Sequence, residues 1–227
     1  MVWENVMGVI TRLRLVLTGF FLAISFFGIA HTDQGNPDRY TLNAQLLAAA
    51  RDGDTATVER VIEGGANLDS RNRGGKTALY LFVERRDLAM VNYLLNQGAN
   101  PNISDLEKVT PTMSAAYNGD LSILKSLVQS GTNIQEEDQV FKTAMIYAAA
   151  AGHSHIVKYL LEKGVEVDQR YHHELTALMW ASGMNQRSVV ALLLSQGANM
   201  TLRDDRGKTA SDIALGAKAG SVVNLLE

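Results

Sequence analysis

Residues 143–176 read TAMIYAAAAGHSHIVKYLLEKGVEVDQRYHHELT, and the stretch holds one complete structural unit between two threonines. Thr143 precedes a run of apolar and small residues, where its hydroxyl can accept from an orphan N–H in the first turn of a helix. Gly152 and His153 interrupt the run with a turn. Ile156, Val157, Leu160 and Leu161 then recur at spacings of three and four, which lines one face of a second helix. Gly164 follows, free to take the left-handed conformation that ends helices. A short extended segment leads to Thr176, where the pattern starts again.

Working outward, the same unit recurs with a step of 33 residues. Thr77, Thr110, Thr143, Thr176 and Thr209 form one series, and Gly65, Gly98, Gly131, Gly164 and Gly197 form another. Val58, Val91, Leu124, Val157, Val190 and Val223 form a third, with Val61, Leu94, Leu127, Leu160, Leu193 and Leu226 three places on. Three independent series with one period specify a repeat architecture, in which each unit buries its apolar face on its neighbours. Small pairs such as Ala115-Ala116 and Ala148-Ala149 let neighbouring helices approach closely.

The threonine, the paired alanines, the V-x-x-L-L stripe and the G-A-N segment resemble the ankyrin repeat over residues 40–227. That resemblance implies an all-α ankyrin-repeat solenoid of about six stacked helix-turn-helix units joined by short hairpin loops. Residues 40–66 are expected to form an N-terminal cap, 67–206 four full repeats, and 207–227 a C-terminal cap. The family's usual histidine, three places after the threonine, is replaced by Tyr80, Met113, Ile146, Met179 and Asp212. Apolar packing must then do what a Thr–His hydrogen bond does elsewhere in the family. The second unit carries Phe82 and Val83 in place of paired alanines and Arg86 in place of the turn glycine. Ser114 stands where a large apolar residue is expected, and the Phe82 ring is expected to fill that space. Asn185 replaces the turn glycine of the fifth unit, a residue that tolerates positive φ comparatively well.

The first thirty residues are a separate object. Arg12 and Arg14 precede an apolar run of 16 residues, Leu15 to Ala30. A bilayer-spanning helix needs about 20 apolar residues, whereas a secretory signal has a core of about 7–15. Gly28 and Ala30 are small at the positions a signal peptidase reads, so residues 1–30 are expected to be a cleaved signal and 31–39 a flexible linker. An uncleaved anchor of the same orientation and a buried core helix are the alternatives. Initiation at Met7 would give a more typical signal. With the repeats, this segment resembles exported, periplasmic-type bacterial members of the family. It implies a periplasmic or secreted protein, or repeats tethered outside the cytoplasm if the segment is retained, in which case alone a membrane is touched.

Composition excludes several chemistries. With no cysteine, there is no disulfide framework, thiolate zinc site or thiol nucleophile. A net charge of −3 offers no whole-chain attraction for nucleic acid. G-x-S-x-G, a phosphate-binding glycine loop and His-Glu-x-x-His are all lacking. His153, His155, His172 and His173 fall within 21 residues and raise a third reading, a metal- or ligand-binding protein. A helix of about 15 Å separates the two pairs, so no metal, cofactor or catalytic site is expected. Trp180, Met113, Met145 and Met179 are expected in the core.

The resemblance further implies a monomeric, non-enzymatic module that binds a protein partner through the concave face of its hairpin tips and first helices. Carried over by position, the tips include Arg71, Arg73 and Lys76, Leu106, Gln139 and Val140, and His172 and His173. Arg85, Tyr117 and Met184 add the ends of the first helices. Two departures from the family pattern stand out: Phe141 replaces a hairpin glycine and Tyr171 a hairpin aspartate. The expected partner-contacting set is Arg71, Arg73, Lys76, Arg85, Leu106, Tyr117, Phe141, Tyr171, His172 and Met184, a groove with a basic end and an aromatic middle. Aromatic and arginine side chains are those enriched at binding hot spots.

Overall fold

Each period-33 threonine starts a helix. The structure, a computed structural model, describes residues 38–227, so the readings placed on residues 1–30 and on most of the linker lie outside the described residues. Within 38–227 the helices come in six pairs. These are α1 (Arg39–Asp52) and α2 (Thr55–Glu63), α3 (Ala78–Glu84) and α4 (Leu88–Asn96), and α5 (Pro111–Asn118) and α6 (Leu121–Gln129). They continue as α7 (Ala144–Ala151) and α8 (Ser154–Glu162), α9 (Ala177–Gly183) and α10 (Arg187–Ser195), and α11 (Ala210–Gly216) and α12 (Gly220–Val223). No strand occurs among the described residues, which are all-α as expected.

The threonines cap the helices they precede. The hydroxyls of Thr77, Thr110, Thr176 and Thr209 accept from the N–H groups of Tyr80, Met113, Met179 and Asp212 at 3.2–3.3 Å, each cap stabilising by about 1 kcal/mol. Thr143 makes no such bond. The second helices end on Gly65, Gly98, Gly131, Gly164 and Gly197, all with φ of 85–93°. The turn inside each pair holds a second left-handed position, occupied by Gly53, Arg86, Gly119, Gly152, Asn185 and Lys218. At Gly119 a Cβ would meet the His153 ring at 2.7 Å, so this glycine also leaves room for the next unit. Arg86 turns outward instead and forms a two-pronged pair with Asp120 at 2.7 and 2.8 Å.

First helices pack on first helices along the stack, α1 on α3, α3 on α5, α5 on α7, α7 on α9 and α9 on α11. The stripe foreseen on the second helices is the core: Val58, Val61, Val91, Leu94, Leu124, Leu127, Val157, Leu160, Val190 and Leu193 are fully buried. In the last unit Leu226 is buried as well, while Val223 is only half-buried beside the buried Val222. Phe82 is fully buried, as are Met113, Met145 and Met179 to within a few per cent. Trp180 differs from expectation. It holds the same place in its unit as Ser114 and Tyr147, and all three are half-buried.

Candidate interaction site

Five hairpins connect the pairs, at 72–76, 105–109, 138–142, 171–175 and 204–208. In each, the first residue's N–H donates to the last residue's carbonyl at 2.9–3.0 Å. Four of them begin with Asn or Asp, and the side-chain Oδ1 accepts two more backbone N–H bonds at 2.8–3.0 Å. Asn72 takes those of Gly74 and Lys76, Asp105 those of Glu107 and Val109, Asp138 those of Val140 and Lys142, and Asp204 those of Arg206 and Lys208. A short polar side chain thus stands in for a turn of backbone and fixes the loop.

The fourth hairpin begins with Tyr171, which has no such oxygen to offer. Its loop winds instead into a 3₁₀ turn, His172–Glu174, with both His173 (φ 61°) and Glu174 (φ 59°) left-handed. The phenol ring is buried, 7% exposed. Its hydroxyl and that of Thr143, the one threonine that does not cap, are both buried without a hydrogen-bond partner. Burial pushes the Tyr171 phenol up to about 12, opposed by the nearby Thr143 hydroxyl, which does not reach hydrogen-bonding geometry.

The change in the loop breaks the joint between hairpins. Leu106 N–H donates to Gly74 O at 3.1 Å, Gln139 N–H to Glu107 O at 3.0 Å, and Asp205 N–H to His173 O at 3.2 Å. The equivalent bond, from His172 N–H to Val140 O, is missing among the described residues. Side chains reinforce the closed joints: Arg71 donates to Ser104 O at 2.7 Å, Gln139 to Leu106 O at 2.6 Å and Arg170 to Arg203 O at 3.1 Å.

At the open joint lies a cavity of about 490 Å³, walled by Val140, Phe141, Tyr171, His172, Leu175 and Trp180, with Lys142 beside them. Phe141 stacks on His172 with ring centroids 4.4 Å apart. Phe141 sits at φ 62°, a conformation that costs a bulky residue energy. Lys142 Nζ lies 5.2 Å from the centre of the Trp180 ring and 5.8 Å from that of Tyr147. No carboxylate among the described residues pairs with it. The nearby Asp138 is committed, since its other oxygen accepts from the Tyr147 hydroxyl at 2.6 Å. Across Trp180 a second cavity of about 160 Å³ is lined by Met184, Arg206 and Ile213 among others.

Of the residues singled out by sequence, Phe141, Tyr171 and His172 come together here, Tyr171 as wall rather than as exposed surface. Met184 lies at the smaller cavity. Tyr117, 60% exposed, meets the Tyr147 ring edge-on at 6.1 Å, and Leu106 projects from the second hairpin. The basic residues are more dispersed. Arg71 is tied to Gly75 O and Ser104 O, Lys76 pairs with Glu84 at 2.6 Å, and Arg85 donates to Arg51 O and covers Gly53. Arg71 and Arg73 line a cleft of about 540 Å³ with Arg51 beside α1. Lys142 and Leu175 went unnoticed in the sequence. The available signal was the loss, at 171 alone, of the carboxylate or amide found at 72, 105, 138 and 204.

The histidines bond locally. His153 and His155 donate from Nε2 to Tyr117 O and Gly119 O at 2.8 and 3.1 Å, carbonyls that only accept. His173 meets Asp205 at 2.6 Å. Among the described residues no group of three or more His, Asp or Glu could hold a metal ion, and no helix is long and apolar enough to cross a membrane.

Known proteins share this pattern. The family model described as ankyrin repeats (3 copies) matches residues 46–138 and 112–204. The chain is 34% identical over 80 residues to ankyrin repeat and KH domain-containing protein mask-1 of Caenorhabditis elegans, covering 35% of this chain and 3% of that protein. It is 34% identical over 76 residues to a putative ankyrin repeat-containing protein of Treponema pallidum, covering 34% of this chain and 25% of the relative. The alignments thus span a quarter or less of these relatives. Among solved structures, the ankyrin repeat domain of Bcl-3 superposes with a TM-score of 0.71 at 28% identity, covering 80% of this chain and 84% of that one.

Proposed function

The chain belongs to the ankyrin-repeat family, and we propose that it is a non-enzymatic protein-binding module, exported from the cytoplasm, that grips a partner protein with its concave face. One observation carries the reading. Exposed large apolar side chains gather on the hairpins and the ends of the first helices, at Leu106, Tyr117, Val140, Phe141 and Met184. Soluble proteins keep such groupings mainly where something docks. Within this reading Arg71, Arg73, Lys76 and Arg85 form the basic end of the contact surface and Leu106, Tyr117, Phe141, Tyr171, His172 and Met184 its apolar middle. A preformed stack binds with little ordering cost.

The test is retention of envelope proteins on immobilised full-length protein, compared with a Leu106→Ser/Tyr117→Ser double variant. Loss of a retained protein with that variant supports the reading; retention that ignores the double variant contradicts it. N-terminal sequencing of the exported chain addresses the first segment. A start at His31 means a soluble periplasmic or secreted protein. An intact Leu15–Ala30 means a tethered scaffold with its repeats outside the cytoplasm. A chain that stays in the cytoplasm contradicts export.

A further inference from the structure

The open joint between the third and fourth hairpins is built unlike the other joints, and its differences converge on one cavity. The Val140 carbonyl and His172 N–H are left without each other. Every hairpin holds one left-handed residue, at Gly75, Lys108, Phe141, Glu174 and Gly207, but the fourth adds a second, His173 (φ 61°), which lines the cavity as Phe141 does. Strain of this kind persists only where surrounding structure enforces it, and it concentrates at ligand clamps. The cavity's volume, about 490 Å³, lies in the range of sites that enclose a large side chain or small ligand. Its walls are mainly aromatic or aliphatic, and the charge beside them is the Lys142 ammonium, held over two rings and free of any carboxylate among the described residues.

We propose that this cavity is the anchor pocket of the binding surface, taking an aromatic side chain of a partner polypeptide whose neighbouring carboxylate pairs with Lys142. The inference rests on the reading of the chain as a protein-binding module. An incoming ring stacks among Phe141, His172 and Trp180, where offset and edge-on contacts add to simple burial. The carboxylate supplies the partner that Lys142 lacks, in a partly desolvated place where a charge-assisted bond is strong. The unpaired Val140 carbonyl and His172 N–H are available to the peptide's own backbone, as at an exposed sheet edge. Asp138 and Asp205 do not compete, because Asp138 is occupied by its own hairpin and Tyr147, and Asp205 by His173.

The probe is a phage-displayed library of random dodecapeptides, selected on the full-length protein. Enriched peptides are expected to carry an aromatic residue within two positions of Asp or Glu. Their affinity should fall at least tenfold with Phe141→Gly, a variant that restores the residue with the freest positive φ and so keeps the fold. Lys142→Glu should exchange the acidic preference for a basic one, an inversion that mere destabilisation does not produce; circular dichroism checks that both variants are folded. Enriched peptides that ignore both variants but are lost with Leu106→Ser/Tyr117→Ser overturn the pocket while leaving the binding module intact. Failure to enrich any peptide dependent on Phe141 overturns it equally. If retention of envelope proteins also fails, the binding-module reading falls with it.

Discussion

The third and fourth hairpins have the same length and the same closing bond, yet one is rigidly specified and the other is not. In the third, Asp138 gathers the Val140 and Lys142 N–H groups and the Tyr147 hydroxyl, and the loop then joins its predecessor through Gln139. In the fourth, Tyr171 fills the corresponding place with a ring, the turn rewinds, and the joint to the third hairpin stays open. One side chain therefore decides whether two repeats are zipped at the tip. The lesson is that a repeat stack can host a site by omitting a local bond, while the helical core beneath runs on without a gap.

The largest expected effect separates that core from the tips. Phe82 is fully buried in α3, so Phe82→Ala should cost about 3–5 kcal/mol, read from urea unfolding. Trp180→Ala, at the half-exposed wall of the open joint, should cost less than about 2 kcal/mol. Equal losses would mean the joint belongs to the core. Next, Asp138→Ala strands two backbone N–H groups and a tyrosine hydroxyl and should cost about 2–3 kcal/mol. It should also free the Gln139 amide, making the third hairpin behave like the fourth.

Tyr171→Phe removes a hydroxyl that is buried without a partner, so stability near pH 7 should be unchanged or rise by up to about 1 kcal/mol. The same substitution should remove an alkaline sensitivity. With the folded phenol pushed up to about 12, the unfolded chain loses this proton first as pH rises past about 10. Folding is then weakened progressively from about pH 10 toward 12, and the contribution is full below that window. A wild-type stability curve with the same alkaline slope as Tyr171→Phe would contradict the burial argument. The smallest effect belongs to Phe141→Gly, where relief of backbone strain offsets the lost stacking on His172, leaving stability within about 1 kcal/mol.

Much of the fold was legible because its cause is periodic. A threonine, a small pair, an apolar stripe and a glycine at one spacing leave a single way to stack, and the structure follows it unit by unit. The site was legible only through departures from that period. Phe141 and Tyr171 announced themselves by standing where glycine and aspartate are expected. What stayed hidden was the consequence of having no carboxylate at position 171, because a broken joint involves an N–H and a carbonyl 32 residues apart that carry no signature of their own. The sequence places Trp180, with the apolar residues of its helix, on positions that face the stack. Which of those apolar residues faces the hairpins depends on the angle at which the helix packs, which periodicity alone does not settle. Arg71 and Arg85 looked like free surface charges, yet their guanidinium groups are used to tie neighbouring units together.

Amide hydrogen exchange of the four equivalent hairpin residues tests the open joint most directly. The Leu106, Gln139 and Asp205 amides donate across closed joints and should be protected, whereas the His172 amide should exchange at least tenfold faster. Protection of His172 equal to that of its three counterparts would show that the fourth hairpin is zipped like the rest, and would contradict the account.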